Sequence, residues 1–553
     1  MITKKRNSFF LCLICGVSLG LAYPPFYLSY LIFVGYGLLA FLIYASENYK
    51  QLFLRSYLAF LIFDLIAISW LPLSGMRENA DKFLILGGIV TIIIHCLTLQ
   101  IPVILFYFFY RRTKGFFKSY SYLTFLLFPF FQVGFEYLTT IQEFSFPWLT
   151  TGYAFTNVLH KIQFADITGV FGVSLWAVYI GILFFYLYLS RYTEIITRKK
   201  FLPLAVLTLI IFLLPDLYTY TNNCEKKYRE NKSTDTLRAA IIQPNINPWG
   251  KWTSAPKDLM KEYISQIKTL TDTTSPLPHI IILPETAMPY YLLYPGYKDR
   301  LDELTGFIDS LKIPLLTGFV NLRTYDNPSD VRIDSKKFSN GTYYDVYNSA
   351  LLISDGKLQT YDKIKLVIAS ERMPYQEKIP FIRNLVNWSV GISAFQKGID
   401  TTVFSIDNKF RFNTAICYES IYPEFFSSFI RRGSQVGIVI TNDGWWGKLA
   451  GTYQHNSYAV FRAIENRKWV LRCANTGISG SIDPYGNLYH QSDINEKENI
   501  IVNFGTGTPG MTFYTIHGDY PGSLGLFLML SITALTLIYK YALLLFGKKK
   551  SKL

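Results

Sequence analysis

Two blocks of apolar sequence, residues 8–219 and 523–546, flank a stretch, 220–520, of ordinary globular composition. A soluble fold has no interior large enough for so much continuous apolar surface. The flanks therefore read as helices in lipid, where each segment must satisfy its own backbone N–H and C=O groups. A bilayer core of about 30 Å takes about 20 residues per helix. On that measure the sequence predicts eight spans, at 8–22, 27–45, 56–74, 83–110, 120–139, 168–190, 201–219 and 523–546. The first is short, and its Lys4-Lys5-Arg6 leader has the form of a signal peptide. No Ala-x-Ala cleavage pattern follows, however, and a second apolar run begins at once beyond Tyr23-Pro24-Pro25, which favours a retained helix.

Charge sets the direction of the spans. Lys50 and Arg55, Arg111-Arg112-Lys114-Lys118, Arg191 and Arg198-Lys199-Lys200, and Lys548-Lys549-Lys550 join the N-terminal cluster on one side. The alternate loops are balanced: Arg77 and Lys82 offset Glu78 and Asp81, and Lys161 accompanies Glu143 and Asp166. The positive-inside rule places the first set in the cytoplasm, both termini with it, and residues 220–520 outside. The expected domains are 1–219 with seven helices, 220–520, and 521–553 with the last helix and a basic tail. The net charge of +15 would suit a nucleic-acid binder, but the basic residues cluster beside apolar runs and no nucleic-acid module is present. Glu136 and Asp64 lie inside spans, where an ionisable group is costly; each is either functional or bonded to a neighbouring helix. Trp148, in FPWLTTGY, suits the headgroup layer.

Of the six cysteines, Cys12, Cys15 and Cys96 fall in predicted helices, and Cys224, Cys417 and Cys473 show no paired or metal-ligand spacing. No disulfide framework is expected, although a Cys224–Cys473 bridge stays open. Residues 237–246, 279–286, 314–320, 401–406, 410–419 and 436–443 read as strands, 343–354 and 357–366 as a hairpin across Asp355-Gly356, and 256–272, 299–311 and 454–468 as helices. The residues 469–477 and 479–486 read as two further strands. Strands alternating with helices predict a layered α/β domain. The segments 288–297 and 373–388 combine prolines and aromatics outside regular elements, and beside a bilayer they read as loops that dip into lipid.

Within this domain three residue types recur in an order that chemistry uses. Glu285 ends the apolar run HIIILPE, Lys363 follows QTYD, and Cys417 ends KFRFNTAI. A thiol is mostly protonated at neutral pH and needs a base, which a neighbouring carboxylate supplies. An ammonium can then stabilise the oxyanion formed when the sulfur attacks an acyl carbon. Glu371 and Glu419 are placed to hold the lysine and shape the nucleophile loop. Taken singly, each has a bland reading as solvated surface or inert core.

Together, LPE, YDK followed by KL, and a strand running into CYE resemble the nitrilase or carbon–nitrogen hydrolase superfamily. TNDGWWG (441–447), Gln454-His455, RAIENRKWVLRCANTGIS (462–479), GLAYPPF (20–26), FPWL (146–149) and the span after the domain resemble its membrane-bound branch, the apolipoprotein N-acyltransferases of diderm bacteria. The resemblance covers essentially the whole chain. It implies a polytopic helical membrane bundle of eight spans carrying an αββα sandwich. It also implies acyl transfer from a phospholipid, through a Cys417 thioester, to the α-amine of a diacylglyceryl-cysteine on a lipoprotein. By the same resemblance Glu285 is the base, Lys363 the oxyanion partner and Glu371 an auxiliary carboxylate. Tyr418 and Glu419 complete the nucleophile motif, and Trp445 and Trp446, with Trp148, border a lipid entrance. No metal or organic cofactor is implied; the expected setting is a monomer in the cell inner membrane with a periplasmic catalytic domain. The chain departs from the family at Val367-Ile368-Ala369-Ser370-Glu371-Arg372, where a turn with proline and glycine is usual. There Arg372 is placed to face lipid phosphate. A membrane-tethered amidase with water as acceptor is the alternative; a transporter or scaffold with an inert outer domain is a third.

Overall fold

The computed structural model describes residues 5–78, 80–193, 195–222, 237–251, 256–379, 395–406, 409–506 and 510–547. The apolar flank folds as α1 (Lys5–Leu21), α2 (Leu31–Tyr44), α3 (Tyr49–Ala67), α4 (Trp70–Ser74), α5 (Phe83–Thr98), α6 (Gln100–Phe117), α7 (Phe128–Ile141), α8 (Leu159–Ile162), α9 (Ala165–Tyr192) and α10 (Phe201–Thr221). Five described helical stretches are long and apolar enough to cross a membrane: Tyr49–Ser74, Phe83–Ile141, Ala165–Tyr192, Arg198–Thr221 and Tyr520–Ala542. The first two expected spans appear as the shorter apolar helices Ser8–Leu21 and Leu31–Tyr44. The expected spans 83–110 and 120–139 fall in one 59-residue helical stretch, which passes Leu99 with right-handed helical angles but breaks at Lys118, where φ turns to 46°, ahead of the tighter turns of Lys118–Leu127. Apolarity alone does not mark such breaks.

Between α10 and the last helix the chain builds two sheets. β1 (Leu237–Gln243) leads through α11 (Pro256–Thr273) to β2 (Ile280–Ile282) and β3 (Met288–Tyr291), and α12 (Lys298–Leu311) leads to β4 (Leu315–Tyr325), β5 (Lys336–Lys337), β6 (Tyr343–Ser354) and β7 (Lys357–Asp362). β8 (Val403–Ile406), β9 (Phe410–Ile416), α13 (Pro423–Arg431), β10 (Val436–Thr441), α14 (Ala450–Asn466), β11 (Trp469–Ala474), β12 (Gly480–Ile482) and β13 (Leu488–Tyr489) follow, and β14 (Glu498–Phe504) returns to the first sheet. α15 (Phe513–His517) and α16 (Tyr520–Gly547) close the chain. The first sheet runs β14-β1-β2-β4-β6-β5, with β3 on β4 and β7 on β6; the second runs β13-β12-β11-β10-β9-β8.

Side-chain alternation decides the layering. On β1, Ala239 and Ile241 point into the space between the sheets, where they meet Phe412, Ile438 and Leu471 of the second sheet. Ala240 and Ile242 point the other way, against Met260, Tyr263 and Ile267 of α11 and Leu304 and Ile308 of α12. The outer face of the second sheet, with Ala415, Val439 and Val470, packs on α13 and α14, and that core is continuous with the one holding the apolar helices. The domain is thus a helix–sheet–sheet–helix sandwich whose one helical layer is shared with the membrane-type bundle.

The loop at 288–297 is corrected. Met288–Tyr291 pairs with β4, and Met288, Tyr290 and Leu292 are buried in the core under α11 and α12, so these three serve packing and not lipid, while Tyr294 stays exposed. Of the other expected lipid-facing loop, 380–388 lies outside the described residues, as does Cys224. Cys473 is a buried free thiol. Asp64 accepts from His95 Nδ1 at 2.9 Å and from Cys96 Sγ at 3.1 Å on α5, and Glu136 accepts from Thr151 Oγ1 at 2.5 Å and Gln132 Nε2 at 3.1 Å. Both acids are therefore bonded to neighbouring helical segments.

Candidate active site

The site forms at the C-terminal ends of four strands, where chain ends leave β structure with unpaired backbone groups. Glu285 follows β2, Lys363 follows β7, Cys417 follows β9, and Asn442 and Asp443 follow β10. Gly318 on β4 makes the first placement possible: a Cβ there would lie 2.5 Å from Thr286 N and 2.7 Å from Glu285 Cα.

Lys363 Nζ donates to Glu285 Oε1 at 3.1 Å and to Glu371 Oε1 at 2.9 Å. Asn348 Nδ2, on β6, bridges the same two carboxylate oxygens at 2.8 and 2.9 Å, and Asn442 N donates to Glu285 Oε2 at 3.0 Å. These groups are taken out of water: Lys363 is 1 % exposed, Glu285 and Glu371 6 %, and Cys417 7 %. Burial alone would lower the lysine's affinity for its proton, but the two carboxylates reverse that and hold it charged. The thiol of Cys417 is pushed well up, by burial first and the Glu285 charge second, against the opposing pull of Lys363. At rest the sulfur therefore keeps its proton, and a base must take it as the sulfur attacks.

Cys417 sits at φ 53°, the left-handed region, in the tight turn Cys417–Ile421. Glu419 lies wholly beneath that turn. Its Oε2 accepts from Ile416 N at 2.8 Å, and its Oε1 accepts from Tyr361 Oη at 2.7 Å, Ile364 N at 2.7 Å and Lys365 N at 3.0 Å. The residue thus ties the nucleophile turn to the segment that carries Lys363. Burial pushes its carboxyl up to about 7, against the pull of those N–H bonds. Glu371 reaches the lysine through the unusual 367–372 segment. The turn closes by Glu371 N donating to Val367 O at 2.9 Å, and Ala369 takes φ 60° where a glycine would be unstrained. Arg372 does not face lipid: it pairs with Asp334 at 2.6 Å and Glu377 at 2.7 Å.

The nucleophile turn is also bonded to the apolar-helix loops. Tyr418 Oη donates to Ser145 O at 2.9 Å, Tyr153 Oη donates to Ile421 O at 2.8 Å, and Ser145 Oγ lies 2.8 Å from Tyr422 Oη. Trp148 is 1 % exposed, which overturns the headgroup position expected for it. It stacks near Tyr418 and His455, and its Nε1 donates to Gln454 Oε1 at 2.6 Å. Trp446 is half-buried among Trp70, Trp148 and His455, whereas Trp445, also half-buried, packs edge-on against Trp249.

Five participants were not assigned a role from sequence: Asn348, Lys251, Asp443, His455 and Arg472. Buried Lys251 donates to Glu285 O at 3.0 Å and Thr286 Oγ1 at 2.8 Å, and burial brings its ammonium down to about 7. The Cys417 sulfur, an Asp443 oxygen and a His455 nitrogen lie within 4.8 Å of one another. Asp443, however, is ion-paired to the Arg472 guanidinium and accepts from Thr441 Oγ1 at 2.8 Å, which makes the trio a hydrogen-bonded unit and a poor cation cage. TNDGWWG and Gln454-His455 stood out as motifs, but only folding brings them under the nucleophile.

Residues 15–183 match the family model described as the apolipoprotein N-acyltransferase N-terminal domain, and residues 238–505 match that of the carbon–nitrogen hydrolases. An apolipoprotein N-acyltransferase of Chlorobaculum tepidum is 31 % identical over 522 residues, spanning 92 % of this chain and 93 % of that protein. One from Geobacter metallireducens is 27 % identical over 519 residues, 93 % of this chain and 92 % of the relative. A third, from Aquifex aeolicus, is 26 % identical across 91 % of this chain and the whole of the relative. Since the likeness runs through the helical bundle, the sandwich and the segment that carries the cysteine, the chain belongs to the apolipoprotein N-acyltransferase family.

Proposed function

We propose that this protein N-acylates lipoproteins, taking the acyl chain from a membrane phospholipid and holding it on Cys417. In the first half-reaction Glu285 takes the Cys417 proton as the sulfur attacks the ester carbonyl. Lys363 and nearby backbone N–H groups stabilise the tetrahedral oxyanion. The C–O bond then breaks, the proton passes from Glu285 to the departing glycerol oxygen, and a lysophospholipid leaves. In the second, the α-amine of a diacylglyceryl-cysteine attacks the thioester. The C–S bond breaks, and the amine's proton returns to sulfur by way of Glu285. Glu371 keeps Lys363 in place, and Trp445 and Trp446, backed by Trp148, border the acyl entrance.

The observation that carries this reading is that the turn bearing Cys417 has the Glu285–Lys363–Glu371 cluster on one side and the loops of the apolar helices on the other. A hydrolase of small soluble amides gains nothing from such a junction. The domain limits that go with this reading are 1–219 with seven spans, a catalytic domain over 220–520, and an eighth span with a basic tail over 521–553. The contacts of Ser145, Tyr153 and Arg77 with the sandwich favour the loops at 75–82 and 140–167 lying on its side of the membrane. With the charge bias of the opposite loops, this supports a periplasmic catalytic domain; the same proposal takes the protein as a monomer in the cell inner membrane.

Intact-mass and peptide mass spectrometry of the protein from its native membrane tests the reading. An acyl mass on the Cys417 peptide is expected, lost in Cys417→Ala and discharged onto an added diacylglyceryl-cysteine peptide. Release of free fatty acid with no acylated peptide would instead favour the amidase-like alternative. Parental transfer by Cys417→Ala would remove the nucleophile.

A further inference from the structure

His455 has no part in the two half-reactions above, yet no other side chain outside the nucleophile turn bonds to the backbone of Cys417 itself among the described residues. Its Nε2 lies 3.1 Å from Cys417 O and 3.0 Å from Ser420 Oγ. Ser420 Oγ donates its own hydrogen to Cys417 O at 2.8 Å, so toward the ring it is an acceptor. Both oxygens facing Nε2 therefore call for a donor, and Nε2 carries a hydrogen. On the opposite edge, Nδ1 lies 2.8 Å from Asp443 Oδ1. Burial would raise the Asp443 carboxyl, but the Arg472 guanidinium and the His455 ring pull it well below the usual carboxylate range, so it too accepts. The ring is held at both edges, by Cys417 O and Ser420 Oγ at Nε2 and by Asp443 at Nδ1; Arg472 acts through its ion pair with Asp443, Trp148 stacks near the ring and Trp446 meets it edge-on.

What the ring holds is a strained element. Cys417 is a non-glycine residue at φ 53°, a conformation that persists only where its surroundings over-determine it. Its carbonyl is fixed by two side-chain donors, Ser420 and His455. The neighbouring Gln454 fixes the helix that presents the histidine. Gln454 Oε1 accepts from Trp70 Nε1 at 3.0 Å and Trp148 Nε1 at 2.6 Å, and its Nε2 donates to Pro24 O at 2.9 Å and Ala67 O at 2.8 Å.

We infer that His455, oriented by Asp443 and Arg472, is a positioning residue that locks the Cys417 backbone so that the sulfur is aimed at the acyl carbon. The inference rests on the proposed function only in naming the acyl carbon; the aim of the sulfur is measurable without it. A displacement of about 1 Å at a nucleophile costs on the order of 100-fold in rate.

The test uses the full-length protein in phospholipid-containing micelles. Two rates are followed at Cys417: alkylation by iodoacetamide, and single-turnover thioester formation from phospholipid. His455→Ala is expected to slow both by about 100-fold while leaving the half-saturating phospholipid concentration within about twofold. His455→Gln, whose amide can still donate to Cys417 O, is expected to recover at least about tenfold over the alanine variant. A parental alkylation rate in folded His455→Ala would overturn the inference, as would a glutamine variant no faster than alanine. Should His455→Ala not fold, His455→Phe fills the ring's space without a donor for Cys417 O; a parental alkylation rate there overturns the inference equally. Absence of any thioester in the parent, with the alkylation differences intact, would sink the proposed function and leave the positioning role standing.

Discussion

The two helical layers of the sandwich face different surroundings, and the contrast shows how the catalytic domain is built into its membrane part. α11 and α12 are ordinary amphipathic helices. Met260, Tyr263, Leu304 and Ile308 are buried, while Lys261, Asp302 and Ser310 are exposed. α14 occupies the equivalent place on the other sheet, yet nearly every residue from Gly451 to Asn466 is buried, including Gln454, His455, Arg462 and Glu465. Its outward face meets apolar helices where α12 meets water. Polar residues on α12 are left to solvent; those on α14 must find partners across the junction, and they do. Gln454 bonds Trp70 and Trp148, Glu465 Oε1 accepts from Val170 N at 3.0 Å, and Arg467, just past the helix, reaches Gln163 and Asp166. The sandwich is therefore set into the bundle through one layer, the layer beside Cys417.

The sharpest way to break this picture is at the site it serves. Glu285→Gln removes the base but retains an acceptor for Lys363. Thioester formation is expected to fall by about 1,000-fold, within the range typical of lost general-base catalysis, with the unfolding midpoint within about 5 °C of the parent. Single-turnover acylation and a thermal melt check both halves. A loss of fold equal to the loss of rate would mean that Glu285 is structural.

The elements that set this site were unevenly legible. The order Glu285, Lys363, Cys417 and the strands that deliver them stand out because each strand is a short apolar run ending in a polar residue. β3 was missed because Met288–Tyr291 contains a proline and pairs only along one edge, against β4. β14 pairs antiparallel with β1 across most of the domain's sequence, a partnership that no local pattern announces. The His455–Asp443–Arg472 unit joins a helix to the ends of two strands, so its members become neighbours only in the folded sheet. Trp148 was misplaced for the reason that α14 departs from amphipathic form: a tryptophan between apolar helices and a polar domain reads as interfacial, but here the junction is closed around it.

Gln454→Leu tests the junction itself. Leucine fits the volume but strands two indole N–H groups and two backbone carbonyls, Pro24 O and Ala67 O, in a buried setting. A loss of about 4 kcal/mol in stability is expected, since each of the four abandoned buried partners costs on the order of 1 kcal/mol. Detergent-solubilised unfolding measures it. A comparably conservative change on the exposed face of α12, such as Ser310→Ala, should fall within about 0.5 kcal/mol of zero.

The smallest effects give the cleanest comparison, because both helices end in the same backbone geometry. α12 is capped by Lys312 at φ 55° and α14 by Arg467 at φ 49°. Glycine is at ease in that conformation, so on backbone grounds both Lys312→Gly and Arg467→Gly should stabilise by about 0.5–1 kcal/mol. Lys312 is exposed, and there the backbone gain should be seen. Arg467 is not: its guanidinium donates to Asp166 Oδ2 at 2.8 Å, Gln163 Oε1 at 2.7 Å and Pro484 O at 3.0 Å. Removing it leaves Asp166 without that partner at the junction, a loss of about 2 kcal/mol net of the backbone gain. Opposite signs from one substitution at two matched caps would mean that the α14 layer takes its stability from the bundle. Equal signs would mean that the two layers face equivalent environments and that the catalytic domain is merely tethered.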